Sequence, residues 1–279
     1  MCAIRQLRED GMETELVRRC TALVTNDDGI DSPGLAALAA AALRADLHVV
    51  VAAPARQSSG ASAGLMATTR ASCTLIERRQ LPDLPDIEAY ALEAQPGYIV
   101  RAALRGWLDP VPELVLSGIN HGANVGRAIL HSGTVGAALT AGVNGVRGLA
   151  ISLDVGLRPA RPPHWDTAGY LLADVLAMLT GAPAGTVLTL NVPDRPIEAL
   201  KELRHATLAR FGAVQSRIER VEDGQLHHAV VDADSQPEAG SDSALLAAGH
   251  PTVTALESVC EASEPVLPAW LASAGQPIT

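Results

Sequence analysis

Leu47-His48-Val49-Val50-Val51-Ala52-Ala53, closed by Pro54, is apolar at almost every position. A strand with one wet face alternates apolar and polar residues. A near-continuous run predicts a strand buried on both faces, as in a parallel sheet with helices above and below. Similar short runs recur over Thr21–Thr25, Leu114–Leu116, Leu149–Leu153 and Val187–Val192, the last closed by Pro193. Between them lie helical patterns. Ser32-Pro33 reads as a cap and a first helical residue for a helix over 34–44. Further helices are predicted over 134–143 and, with an apolar stripe, 166–179. Strands alternating with helices predict an α/β fold with a doubly wound, mostly parallel sheet. Aromatic residues make up only 3% of the chain, with a single Phe, so the core must be built from Ala, Val, Leu and Ile.

With 279 residues and 48% hydrophobic content, the chain supports one large domain over 21–279. Residues 1–20 read as an N-terminal extension, peripheral or mobile, with Met12 an alternative start. Beyond about 205 the pattern weakens. Residues 211–231 alternate like an irregular hairpin and 232–242 form a polar loop, so 205–245 is expected to be an arm packing on a partner subunit. There is no internal repeat. The net charge of −10 argues against a nucleic-acid polymer or anionic membrane as partner. A small phosphorylated substrate stays open, because a bound cation reverses the local field. Cys2, Cys20, Cys73 and Cys260 are scattered without a CxxC pair, which predicts free thiols in a reducing compartment. The charged N-terminus lacks a signal-peptide core, and no apolar run is long enough to span a bilayer. A cytoplasmic protein is expected.

Four strand-to-helix connections hold the unusual residues, and in such a fold all four open on one edge of the sheet. Asn26-Asp27-Asp28-Gly29 follows the first strand. It reads as turn and cap chemistry, or as two carboxylates that repel unless a cation lies between them. Residues 53–62, from Ala53-Pro54 to Ser59-Gly60-Ala61-Ser62, read as a flexible loop, or as a source of a serine oxygen ligand with Arg56 facing a phosphate. Ser117-Gly118-Ile119-Asn120-His121-Gly122-Ala123-Asn124-Val125-Gly126 is rich in Gly and Asn beyond what a connector needs. It offers amide oxygens for a hard cation and backbone N–H groups for an anion. Ser132-Gly133-Thr134 opens a helix, as a plain cap or as a phosphate cradle. His121 and His131 are candidate general acids, weighed against solvated bystanders.

These residues resemble the stationary-phase survival protein SurE family. The resemblance rests on Asn26-Asp27-Asp28-Gly29-Ile30 with Ser32-Pro33-Gly34-Leu35, on Ala52-Ala53-Pro54 through Ser62, and on Ser117 through Gly126. Ser132-Gly133-Thr134-Val135 and Leu190-Asn191-Val192-Pro193 complete it, all in order over roughly 21–195. It implies a Rossmann-like core and a metal-dependent phosphomonoesterase acting on nucleoside 5'- and 3'-monophosphates, with short polyphosphate as an alternative substrate. It implies one divalent cation per subunit, Mg²⁺ or Mn²⁺, held by Asp27, Asp28, Ser59 and Asn120, with Asp27 and Asp28 catalytic. Asn26, Gly60, Asn124, Ser132, Gly133 and Thr134 would contact substrate or phosphate. It further implies a homodimer or homotetramer with exchanged C-terminal arms.

The chain departs from the family pattern at Glu93-Ala94-Gln95-Pro96-Gly97-Tyr98-Ile99-Val100, at Gly240-Ser241-Asp242-Ser243, at Gly249-His250 and at His131. These positions bear on base preference and subunit geometry. A homologue that binds nucleotide without turnover is the main alternative. A nicotinamide-dependent enzyme is disfavoured, because Asn-Asp-Asp-Gly and not GxGxxG follows the first strand. Tyr98, Tyr90 and Phe211 are the candidates for base stacking.

Overall fold

The computed structural model of the chain describes residues 19–70, 73–156, 162–212, 214–222, 225–232 and 237–260. The expected N-terminal extension lies almost wholly outside the described residues. The first half of the chain forms β1 (Thr21–Thr25), α1 (Pro33–Arg44), β2 (His48–Pro54), the short β3 (Thr69–Arg70) and β4 (Cys73–Thr74), β5 (Ile76–Leu81), β6 (Leu84–Leu92), α2 (Pro96–Ala102) and β7 (Leu114–His121). The second half forms α3 (Gly133–Val143), β8 (Arg147–Asp154), α4 (Trp165–Tyr170), α5 (Leu172–Gly181), β9 (Val187–Pro193), β10 (Arg204–His205), β11 (Val214–Glu222), β12 (Gln225–Asp232), α6 (Asp242–Ala247) and β13 (Thr252–Leu256).

Nine strands make one sheet in the order β10-β13-β9-β8-β7-β1-β2-β6-β5. From β9 to β6 all neighbours run parallel. β5 and β13 run antiparallel to β6 and β9. The expected α/β sheet is therefore present, with antiparallel strands added outside its parallel core. The run 47–53 behaves as its composition demands. Val49, Val51 and Ala53 pack in one layer with Leu35 and Leu38 of α1 and Val175 of α5. Val50 and Ala52 pack in the other layer with Ile99 and Val100 of α2 and Ala137 and Ala141 of α3.

From β1 the chain moves outward to β2 and β6, then returns to β7 on the other side of β1. The reversal opens a crevice at the carboxyl ends of β1 and β7, the usual ligand position in such sheets. α1 is set tightly against this crevice. Ser32 caps it, its Oγ accepting from the Leu35 N–H at 3.2 Å, and Pro33 occupies its first turn. Gly34 lets the helix rest on β7 backbone to backbone. A Cβ there would lie 2.1 Å from the Ile119 carbonyl oxygen.

Several elements differ from the sequence expectations. β7 continues through Ser117-Gly118-Ile119-Asn120, so this motif is strand and not loop, and the Gly118–Ile119 peptide is cis. The helix expected over 166–179 is two helices meeting at Leu171, where ψ is −7°. β5, β6, β10, β13 and α2 were not legible. β5 reads Ile-Glu-Arg-Arg-Gln-Leu and is largely exposed, so it carries no core pattern. The irregular hairpin exists as β11 paired with β12, with a register shift between Ile218 and Arg220. The sheet's borders are β5, which carries Glu77, Arg78 and Arg79, and the two-residue β10.

Candidate metal and phosphate site

Asp27 and Asp28 follow β1, loop 55–62 follows β2, Asn120 lies near the end of β7, and α3 starts at Gly133. These elements converge on a cavity of about 280 Å³ at the crevice. It is lined by Asp27, Asp28, Ser59, Gly60, Asn120, Asn124 and Ser132, and also by Gln57, His121, Ala128 and His131.

Asp27 is buried, and its Oδ1 accepts a hydrogen bond from the Thr134 hydroxyl. The same hydroxyl oxygen lies 3.2 Å from Asn120 Oδ1. Asn120 is turned this way because its amide nitrogen donates to the Gly122 carbonyl at 2.8 Å. Two acceptor oxygens thus meet at one hydroxyl donor. Asp28 has other partners. Its Oδ2 accepts from the His121 backbone N–H at 3.1 Å, and its Oδ1 from the Gln57 amide at 3.4 Å. That amide also donates to Ser59 Oγ at 3.0 Å.

Burial pushes the Asp27 carboxyl above its ordinary value. The Thr134 hydroxyl pulls the other way, and the Asp28 charge adds to the rise. Desolvation therefore outweighs the carboxylate repulsion anticipated from the sequence. Among the described residues, no basic side chain forms an ion pair with Asp27 or Asp28. None of the described His, Cys, Asp or Glu side chains assemble into a group of three or more. The donor set is two carboxylates, an amide oxygen and hydroxyls, which suits a hard cation such as Mg²⁺ or Mn²⁺ and not a soft-ligand metal.

The structure gives the other expected contact residues the following partners. Asn26 is fully buried and its amide is spent within its own loop. It donates to the Gly29 carbonyl at 3.1 Å and to Ser32 Oγ at 2.7 Å, and its oxygen accepts from the Gly29 N–H at 3.1 Å. Ser132 caps α3, its Oγ accepting from the Val135 N–H at 3.1 Å. Gly133 sits against Asp27, where a Cβ would lie 2.7 Å from Oδ2. Thr134 is buried and turns its hydroxyl to the carboxylate. Arg56 lines a neighbouring cavity with Met66 and Glu93, outside the acidic one.

Residues 22–215 match the family model described as survival protein SurE. The chain belongs to the SurE family. It is 38% identical over 204 residues to the 5'-nucleotidase SurE of Dehalococcoides mccartyi, which covers 72% of this chain and 73% of that one. It is 33% identical over 259 residues to the 5'/3'-nucleotidase SurE of Erwinia tasmaniensis, covering 90% and 96%. The crystal structure of the SurE protein from Aquifex aeolicus superposes with a TM-score of 0.68 at 28% identity, covering 85% of this chain and 92% of that chain. The family read from the motifs and the α/β fold are thereby both established.

In this SurE-family chain three supporting residues carried no assigned role in the sequence. Asn191 on β9 grips Asn124 at both ends. Its Oδ1 accepts from the Asn124 N–H, and its Nδ2 donates to the Asn124 carbonyl, each at 2.8 Å. Asn124 Nδ2 in turn donates to Ser152 Oγ at 2.9 Å. Asp242, 1% exposed, accepts from the N–H groups of Gly126, Ala209 and Ser243 at 2.8, 2.9 and 2.8 Å. Gln57 holds Asp28 and Ser59 together. The Leu190-Asn191-Val192-Pro193 and Gly240-Ser241-Asp242 motifs were the available signals for the first two. Gln57 had none beyond its place in the serine loop.

Proposed function

We propose that the chain is a divalent-metal-dependent phosphomonoesterase hydrolysing nucleoside 5'- and 3'-monophosphates to nucleoside and phosphate. One observation carries this reading. The oxygens of Asp27, Asn120 and Thr134 converge beside Asp28 at the crevice of a SurE fold, and among the described residues no basic side chain pairs with either carboxylate. The names of the relatives, 5'-nucleotidase and 5'/3'-nucleotidase, agree with it.

In this reading Asp27, Asp28, Ser59 and Asn120 hold one Mg²⁺ or Mn²⁺ per subunit. When bound, the cation supplies Lewis-acid polarisation of the phosphoryl group and acidifies water. Thr134 fixes the rotamer of Asp27, and Gln57 fixes Asp28 relative to Ser59. One of the two carboxylates orients the attacking water and takes its proton. Asn124, Gly60, Ser132 and the first turn of α3 at Gly133 and Thr134 receive the phosphate, aided by the positive end of the helix dipole. Charge on the equatorial oxygens is met by these fixed donors, which is most of what phosphoryl transfer demands. Asn26 acts one step removed, by shaping the loop that presents Asp27 and Asp28.

The same reading takes residues 21–279 as one domain with 1–20 peripheral to it. It gives a cytoplasmic homodimer or homotetramer in which the arm over 205–245, containing the β11–β12 hairpin, exchanges between subunits. It gives no partner among nucleic-acid polymers or membranes. Its support is the net charge of −10 and the thiols of Cys73 and Cys260, which form no disulfide among the described residues. No described helix is long and apolar enough to cross a membrane.

Phosphate release from AMP, GMP and p-nitrophenyl phosphate, with EDTA, Mg²⁺ or Mn²⁺, tests the assignment. Release should require added metal. Asp27→Asn and Asp28→Asn should each lower kcat by about 10²–10³ or more while the far-UV spectrum is retained. Unchanged turnover in the double variant overturns the site. Nucleotide retained without phosphate release identifies a binding protein instead.

A further inference from the structure

A second cavity adjoins the acidic one. It encloses about 240 Å³ at the carboxyl ends of β2 and β6, and Arg56, Met66, Thr68, Glu93 and Gln95 line it. Gln57 lines both cavities, so the residue that ties Asp28 to Ser59 is also the partition between them.

The walls of this second cavity are laced together by backbone. The Thr68 N–H donates to the Glu93 carbonyl at 2.7 Å and the Gln95 N–H to the Met66 carbonyl at 2.9 Å. The Met66 N–H donates to Gln95 Oε1 at 3.2 Å. Pro54 of β2 pairs with Leu92 of β6, so Arg56 and Glu93 leave adjoining strand ends. Both line the same space, yet among the described residues neither side chain forms an ion pair or a hydrogen bond, with the other or with anything else. A donor fork and an acceptor pair therefore border one cavity, each without a partner among the described residues. Met66, 72% exposed at its rim, adds a polarisable apolar face.

A ligand that satisfies both groups needs acceptors on one edge and donors on the next. A 6-oxopurine has them. O6 and N7 match an arginine bidentately, and N1–H, joined in guanine by the 2-amino group, faces a carboxylate. Adenine keeps only N7 for the arginine, turns its 6-amino group toward the guanidinium, and offers a bare N1 to the glutamate. Resting on the nucleotidase reading for the first cavity, we propose that the second receives the nucleobase, and that Arg56 and Glu93 select guanine or hypoxanthine over adenine.

Nucleosides test this without any catalysis. Calorimetric titration of the full chain with guanosine, inosine and adenosine should give the two 6-oxopurines about tenfold tighter binding than adenosine. Glu93→Gln replaces one acceptor by a donor and should bring the guanosine-to-adenosine ratio to within about twofold. In kinetics the GMP-over-AMP preference should shrink in the same variant, with the change carried by KM. Equal affinities of the wild-type chain for guanosine and adenosine, or a ratio unmoved in Glu93→Gln, overturns the proposal. Wild-type hydrolysis of p-nitrophenyl phosphate combined with equal nucleoside affinities sinks the base site and spares the phosphatase reading. Selective guanosine binding with no hydrolysis of any ester does the reverse.

Discussion

The Thr134 hydroxyl donates to Asp27 Oδ1 across 107 residues of sequence. This bond joins the residues that follow the first strand, where the two adjacent carboxylates lie, to the first turn of α3. Thr134→Val removes the donor at nearly constant volume. The carboxylate loses its fixed rotamer and a hydrogen bond that favours its ionised form. Mn²⁺ affinity and kcat/KM should fall about 10–100-fold, as for other residues that orient a metal ligand. Thr134→Ser should restore most of both. Equilibrium dialysis with Mn²⁺ and phosphate-release kinetics are the measurements.

Gly34→Ala should act on the fold. The added Cβ would meet the Ile119 carbonyl at 2.1 Å, and backbone cannot turn aside as a side chain can. α1 must lift from β7, at a cost of about 1–3 kcal/mol. A melting temperature lower by about 5 °C is expected, measured by calorimetry on the metal-free chain. An unchanged melt would mean that the helix does not rest where the structure puts it.

Asp242→Asn should weaken both stability and substrate binding. The carboxylate answers three backbone N–H groups with two oxygens. An amide has one oxygen and turns its NH₂ toward a donor. A loss of about 2–3 kcal/mol is expected. Gly126 closes the loop that presents Asn124, so KM should rise more than kcat falls. Steady-state kinetics on the folded fraction separate the two.

Asp154 should shape the pH dependence of stability. Burial holds its carboxyl above the ordinary value, the Gly156 N–H opposes the rise, and the Asp194 charge adds to it. The folded chain then keeps this proton to higher pH than the unfolded chain does. The contribution is fully present below the unfolded value near 3.8 and is lost as pH rises through the folded value. Asp154→Asn should therefore raise the melting temperature near pH 7 by about 2 °C. The gain should fade as pH falls toward 4. Melts recorded from pH 4 to 8 check the sign.

Local pattern made the parallel core legible except for β6. The run 47–53 announced a strand buried on both faces, and Ser32-Pro33-Gly34 announced a helix start. The acidic pair drew attention because two adjacent carboxylates are unusual in a connector, Ser59 and Asn120 were singled out by the family resemblance, and the structure brings all four to one cavity. What stayed hidden is non-local. Nothing near Thr134 says that its hydroxyl serves Asp27. Nothing near Asn191 says that it clasps the Asn124 backbone from two strands away. β5 was missed because a border strand facing water has no apolar period to read. The Ser117–Asn120 stretch read as loop because Gly and Asn dominate it, whereas its backbone pairs with β8 on both sides of a bulge. Of the three stacking candidates, Tyr98 has its hydroxyl 2.8 Å from the Thr74 hydroxyl, Tyr90 packs edge-on to Trp107, and Phe211 is exposed.

The two borders of the sheet have a consequence for crowding in solution. One rim presents consecutive charged side chains, Glu77-Arg78-Arg79, and the other offers only Arg204-His205 as template. An intruding strand finds charge at one margin and too few free amides at the other, so runaway stacking into fibres is blocked at both ends of the ladder. Growth of this nine-stranded ladder by strand addition is thus disfavoured at either margin, by charge on one side and by brevity on the other.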